Sequence, residues 1–231
     1  MEADDKDVTI LNLIDLKSAG WLSAVRAQQV IAVIRAPSLQ QGIQMAQAVA
    51  TGGIQLIEIT WNSDRPAHLV EQLRSQLPHC WIGAGTVLTL VDLQMAIDAG
   101  AQFLFTPHVN LDLMQSAIHQ QVPIVPGALT PSEIVAAWQA GATCVKVFPI
   151  QAVGGANYIR HLQLPLPQIP LIPTGGVTLD NAPDFLQAGA IAVGLGGQLF
   201  PKAAVVANNW LEITQKAADL VQRLQLIRNS E

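Results

Sequence analysis

Charge is scarce in this sequence. Only 13% of its 231 residues are Asp, Glu, Lys or Arg, where an average soluble domain has roughly a quarter. Basic residues number 12 and acidic ones 17, for a formal net charge of −5, and the basic residues form no cluster. That argues against nucleic acid as a partner. Cysteine is nearly absent too. Cys80 and Cys144 cannot build a disulfide framework or a zinc site, and they read as small buried hydrophobes in a reducing cytosol. No stretch reaches the roughly 18 uncharged apolar residues of a membrane span, so no membrane is expected. The opening "MEADDKDVTI" is acidic and polar, unlike a secretory signal. A cytoplasmic location is the expectation. The five histidines, at 68, 79, 108, 119 and 161, lack metal-site spacing such as H-x-x-x-H, so no metal is expected. Four of them read as surface residues, and His108 as a residue that can line a site mouth.

Apolar residues make up 50% of the chain. They recur as nearly continuous β-branched runs: "VIAVIRA" (30–36), "IQLIEITW" (54–61), "CWIGAGTV" (80–87), "QFLFTP" (102–107), "PIVPGA" (123–128), "CVKVFP" (144–149), "PLIPTGGV" (170–177) and "IAVGLGG" (191–197). Continuous runs are the mark of parallel strands covered on both faces. Amphipathic segments with helical spacing lie between most of them. Gly53, Gly100, Gly141 and Gly189 each fall where a helix ends before a strand, the position that favours glycine. Ser38 and the "TPSE" box of Thr130, Pro131 and Glu133 read as helix starts.

Eight strand–helix units predict one (β/α)8 TIM barrel spanning 1–231, with a polar extension over 1–15. A helix over about 16–28 precedes strand 1. A long final helix is expected over about 203–227, and 164–173 reads as a proline-stiffened connector. A doubly wound sheet would favour a G-x-G-x-x-G turn after strand 1, and "IRAPSLQQG" is not one.

In a barrel the active site gathers at the C-terminal strand ends. Those ends carry Arg35, Glu58, Thr60, Thr86, Thr106, Pro107, Lys146, Phe148, the "TGG" of Thr174, Gly175 and Gly176, and the "GLGG" containing Gly196 and Gly197. Lys146 interrupts an apolar run, where lysine is rarely found without a partner or a task. Glu58 likewise interrupts the apolar run of strand 2. Facing inward, the two would place an amine and a carboxylate in one apolar cavity. Free lysine has a pKa near 10.4, and burial can bring it toward roughly 7–8, where it is nucleophilic. A neighbouring carboxylate opposes that shift. Schiff-base chemistry on a ketone is one outcome, and a buried ion pair filling the barrel is the other. The glycine loops at 175–176 and 196–197 read as an anion cradle of backbone N–H groups. Trp61 either packs against a helix or lines the entrance.

Taken in order, "VIAVIRA", "GGIQLIEITW", "IGAGTVL", "AQFLFTPH", "PGALTPSE", "VKVFPIQAVGG", "PTGGV" and "AVGLGG" resemble the KDPG/KHG aldolase family, class I aldolases acting on 2-keto-3-deoxy sugar acids. The resemblance implies that Lys146 forms the Schiff base and Glu58 moves protons. It implies that Thr86 and an arginine hold the substrate carboxylate, and that Phe148 and Pro107 wall the pyruvate pocket. It implies a small keto-acid substrate, no cofactor and a homotrimer. One family arginine position holds Asn62, so Arg35 is the candidate, with Arg65 a lesser one. A family serine position in the phosphate site holds Gly197, which puts the phosphorylated substrate in question. Two readings stay open beside it: a phosphate-binding barrel of the epimerase or thiamine-phosphate-synthase type, and a non-catalytic sugar-acid-binding protein.

Overall fold

The apolar runs become parallel strands in the computed structural model, which describes residues 18–228. They are β1 (Val30–Ile34), β2 (Leu56–Thr60), β3 (Trp81–Gly85), β4 (Leu104–Phe105), β5 (Ile124–Val125), β6 (Gly127–Ala128), β7 (Val145–Val147), β8 (Leu171–Pro173) and β9 (Val193–Leu195). The fifth expected strand is split at Pro126, which has no N–H to give the ladder. β5 and β6 are therefore its two halves, and the expected strands six to eight are β7 to β9.

Two hydrogen-bonded arcs result, ordered β5-β4-β3-β2-β1-β9 and β6-β7-β8. They join at both seams. On one side Thr143 N–H donates to the Ile124 carbonyl at 3.1 Å, and Lys146 N–H donates to the Pro126 carbonyl at 2.9 Å. On the other, Ile191 N–H donates to the Leu171 carbonyl at 3.1 Å, and Thr174 bridges Gly194. The eight strands close into a TIM barrel.

Helices alternate with the strands: α1 (18–28), then α2 (Leu39–Thr51), α3 (Pro66–Gln76), α4 (Leu90–Asp98), α5 (Leu111–His119), α6 (Pro131–Gln139), α7 (Ala156–Gln163), α8 (Ala182–Gln187), α9 (Lys202–Val206) and α10 (Trp210–Arg228). Ser38 caps α2, and Thr130 with Glu133 forms a reciprocal capping box on α6. The four expected helix-end glycines adopt φ between 91° and 101°. The single long final helix is not present. Asn208 takes φ 52° and breaks it, and Asn209 Oδ1 accepts from Glu212 N–H to restart it as α10. Asparagine tolerates left-handed backbone and caps helices well, so "ANNW" is a boundary. The expected 1–15 extension lies outside the described residues.

Side-chain parity sorts the core into two parts. Ile57 and Ile59 of β2, and Val145 and Val147 of β7, join the large core between sheet and helices. Leu56, Phe103, Phe105, Val125, Cys144 and Ile172 fill the barrel interior instead. Trp21 and Val25 of α1 belong to that interior cluster and plug its N-terminal end. The Trp21 ring centroid lies 5.3 Å from that of Phe103 and 6.3 Å from that of Phe105. Period-2 alternation then fixes the layers above: Glu58 shares the direction of Leu56, and Lys146 that of Cys144.

Candidate active site

Glu58 sits on β2 between Val33 and Gly83, and Lys146 on β7 between Gly127 and Ile172. Their exposures are 1% and 6%. The Lys146 Nζ lies 4.9 Å from the Phe148 ring centroid and 5.8 Å from that of Phe105, so aromatic faces support the amine. No ion pair within 4.0 Å joins Lys146 to Glu58 among the described residues. The interior is not filled by a direct buried pair. Glu58 Oε1 is buried with no hydrogen-bond partner. Burial pushes the Glu58 carboxyl above its ordinary value, against the opposing pull of Lys146 and then of Arg35. A carboxyl poised this way can take up and return a proton, and its orphan oxygen can hold a water or a substrate hydroxyl.

Glycine makes the room. A Cβ on Gly85 would overlap Glu58 Oε1, and one on Gly83 would overlap the Phe103 ring. Within "GAGT" the sequence pattern points to Thr86 and passes over Gly85, whose one signal is a glycine at an inward strand position.

The rim is built from loops. Arg35 is exposed at the end of β1. Its loop is tied to the one after β2: Ala36 N–H donates to Ser63 Oγ at 2.9 Å, and Asp64 N–H to the Ala36 carbonyl at 3.0 Å. Thr60 Oγ1 lies 3.3 Å from Ser63 Oγ. Thr86 is half-buried at φ 58°, a left-handed conformation rare for a β-branched residue. Thr106 is spent on its own loop, donating to the His108 carbonyl at 2.7 Å. Pro107 is half-buried beside Gly127, and Phe148 is 36% exposed next to Gly175.

Two hollows open at this end. A cavity of about 540 Å³ is lined by Val33, Arg35, Thr60, Gly196, Gly197 and Lys202, with apolar helix residues behind. One of about 350 Å³ is lined by Val33, Thr174, Gly175, Gly176, Gly196 and Gly197, among others. They share Val33, Gly196 and Gly197. Neither is walled by Glu58 or Lys146, which are buried deeper in the barrel. Gly175 and Gly176 have φ of 86° and 99°, and Gly194 leaves space for the Thr174 hydroxyl. No backbone carbonyl accepts from the N–H of Gly175, Gly176 or Gly197 among the described residues, and all three residues line the smaller hollow.

Other candidates are not brought in. Arg65 is exposed and pairs with Asp64 at 3.4 Å. Trp61 packs against the outer core, and all five histidines are exposed, His108 included. No helix among the described residues is long and apolar enough to cross a membrane.

Residues 22–216 match the family profile of KDPG and KHG aldolase. The chain belongs to this family. The family makes it a lyase. A 2-dehydro-3-deoxy-phosphogluconate aldolase of Pseudomonas aeruginosa is 31% identical over 210 residues, 91% of this chain and 96% of that one. A KHG/KDPG aldolase of Escherichia coli is 30% identical, covering 85% of this chain and 92% of its own. The crystal structure of a Legionella pneumophila KDPG aldolase, with pyruvate captured as a covalent carbinolamine, superposes with TM-score 0.80 at 30% identity, over 86% of this chain and 97% of that one. A Pyrococcus furiosus thiamine phosphate pyrophosphorylase matches at TM-score 0.65 and 15% identity, over 88% of this chain and 98% of that one, a likeness of fold alone.

Proposed function

We propose that this chain is a class I aldolase. It cleaves 2-keto-3-deoxy-6-phosphogluconate to pyruvate and glyceraldehyde 3-phosphate, or 4-hydroxy-2-oxoglutarate to pyruvate and glyoxylate. One observation carries the reading: a buried amine and a buried carboxyl with an orphan oxygen share the barrel interior without pairing. The covalent pyruvate adduct of the Legionella relative supports the same chemistry.

The Lys146 amine adds to the C2 ketone. Glu58 relays protons as the carbinolamine loses water and becomes a protonated imine. That imine is the electron sink. Glu58, directly or through a water, takes the proton of the C4 hydroxyl. The C3–C4 bond breaks, the aldehyde leaves, and its bonding electrons pass into an enamine. Protonation at C3 and hydrolysis release pyruvate and restore Lys146. Thr86 and Arg35 hold the carboxylate, Phe148 and Pro107 wall the methyl end, and Thr174, Gly175, Gly176, Gly196 and Gly197 cradle the distal anion.

We further propose a cytoplasmic homotrimer. Leu88, Leu90, Val91 and Met95, on α4 and the loop before it, and Leu111 at the start of α5, are 49–68% exposed. Large exposed hydrophobics on neighbouring helices suit a subunit contact. A cage designed by fusing symmetric oligomeric domains also matches, at TM-score 0.80 and 27% identity, over 87% of this chain and 74% of that one. Sedimentation tests the assembly. The chemistry is tested with borohydride and pyruvate: Lys146 should carry the reduced adduct, read by peptide mass. An active enzyme that is never trapped would end the imine mechanism.

A further inference from the structure

Lys202 is the first residue of α9 and lines the larger cavity with Arg35. No carboxylate lines that cavity, and much of its wall is apolar, including Met45, Phe200 and Val205. Neither cation takes part in an ion pair within 4.0 Å among the described residues. Both are solvent-exposed, but with no acid in the lining their charge is free to meet an incoming anion.

Backbone hydrogen bonds tie the segment before Lys202 to the glycine loop after β9. Leu199 and Phe200 N–H groups both donate to the Gly196 carbonyl, at 2.9 and 3.2 Å. This folds the segment leading to α9 back onto the glycine loop. Gln41 Nε2 donates to the Val205 carbonyl at 3.1 Å and pins α9 to α2. Gly196 and Gly197 belong to both hollows, so Lys202 lines a hollow that adjoins the one at Gly175 and Gly176.

We infer that Lys202 grips the distal phosphate of a phosphorylated keto acid, supplying by charge what the absent hydroxyl at Gly197 does not. The inference rests on the aldolase reading, in which Arg35 is committed to the carboxylate at the other end. Lys202 is then the cation left in this lining for the far end. It makes the chain selective for phosphorylated substrate despite its glycine.

The test is steady-state kinetics of the full chain on 2-keto-3-deoxy-6-phosphogluconate and on its dephosphorylated form. Lys202→Ala should raise KM for the phosphorylated compound about tenfold or more. It should leave kcat within about twofold and KM for the unphosphorylated compound unchanged. Lys202→Arg should restore most of the loss. Equal effects on both compounds, or none, overturn the inference. Titration with inorganic phosphate, followed by calorimetry, gives a readout free of turnover: Lys202→Ala should weaken it about tenfold. Unchanged phosphate affinity, or none in the native chain, also counts against Lys202. If the native chain turns over neither compound nor 4-hydroxy-2-oxoglutarate, the aldolase reading fails, and the phosphate titration still decides whether Lys202 binds the anion.

Discussion

The Cα of Gly85 faces the Glu58 carboxyl so closely that a methyl group built on it would overlap Oε1. The position of the Glu58 carboxyl is therefore set by a neighbour that has no side chain. Gly85→Ala should force Glu58 out of place. Overpacking of this kind costs about 1–3 kcal/mol of stability, and losing a placed acid–base group costs about 10²–10⁴-fold in rate. Urea unfolding and kcat measure the two separately. A Gly85→Ala enzyme with native kcat would show that the carboxyl need not sit where it does.

Glu58 also gives a pH prediction. Burial raises its pKa in the folded chain, and Lys146 and Arg35 only partly offset that. A carboxyl raised on folding binds its proton more tightly when native. Its favourable contribution is then full below the unfolded pKa and is lost as pH rises toward the raised folded value. Glu58→Gln removes that loss. The variant should melt above the wild type at pH 8, with the gap closing toward pH 4, while kcat falls about 10²–10⁴-fold. Parallel melting curves at both pH values would contradict the burial argument.

Lys146 and Glu58 are legible in the sequence as inward-facing polar positions because each breaks an apolar run in mid-strand, and strand parity is strict. The spatial relationship between them is not. Whether an amine and a carboxyl in one barrel pair directly depends on side-chain reach, which neither run encodes. The break at Asn208 is written in "ANNW" but hidden by helical spacing on both sides. Trp21 falls on an expected helix, yet nothing local says that this helix turns inward to close the barrel floor. Lys202 carries no signal of its own, because its cavity is assembled from β1, α2, β2, the loop after β9, and α9, and the first three lie far from the last two in sequence.

Thr86 holds φ 58°, a conformation that costs a β-branched residue on the order of 1–3 kcal/mol. Thr86→Gly relieves that strain but loosens the unfolded chain by roughly 0.5–1 kcal/mol. The net expectation is a variant more stable by about 1 kcal/mol. On the proposed assignment of Thr86 to the keto-acid carboxylate, it should also raise KM about tenfold. Thr86→Ser keeps the hydroxyl and should keep KM. A glycine variant with both native stability and native KM would remove Thr86 from the site.

Trp21 separates stability from chemistry. It is fully buried, packs on Phe103 and Phe105, and its Nε1 has no hydrogen-bond partner. Trp21→Ala should cost about 3–5 kcal/mol by opening a cavity in the barrel floor. Trp21→Phe keeps most of the ring volume and removes the orphan donor, so it should cost much less. The floor lies at the end of the cylinder opposite the Arg35 and Gly197 rim. Both variants, assayed while folded, should therefore keep KM for the keto acid. If Trp21→Ala shifts KM as strongly as it shifts the urea midpoint, floor and rim are mechanically coupled, and the division of this barrel into a stability end and a chemistry end is wrong.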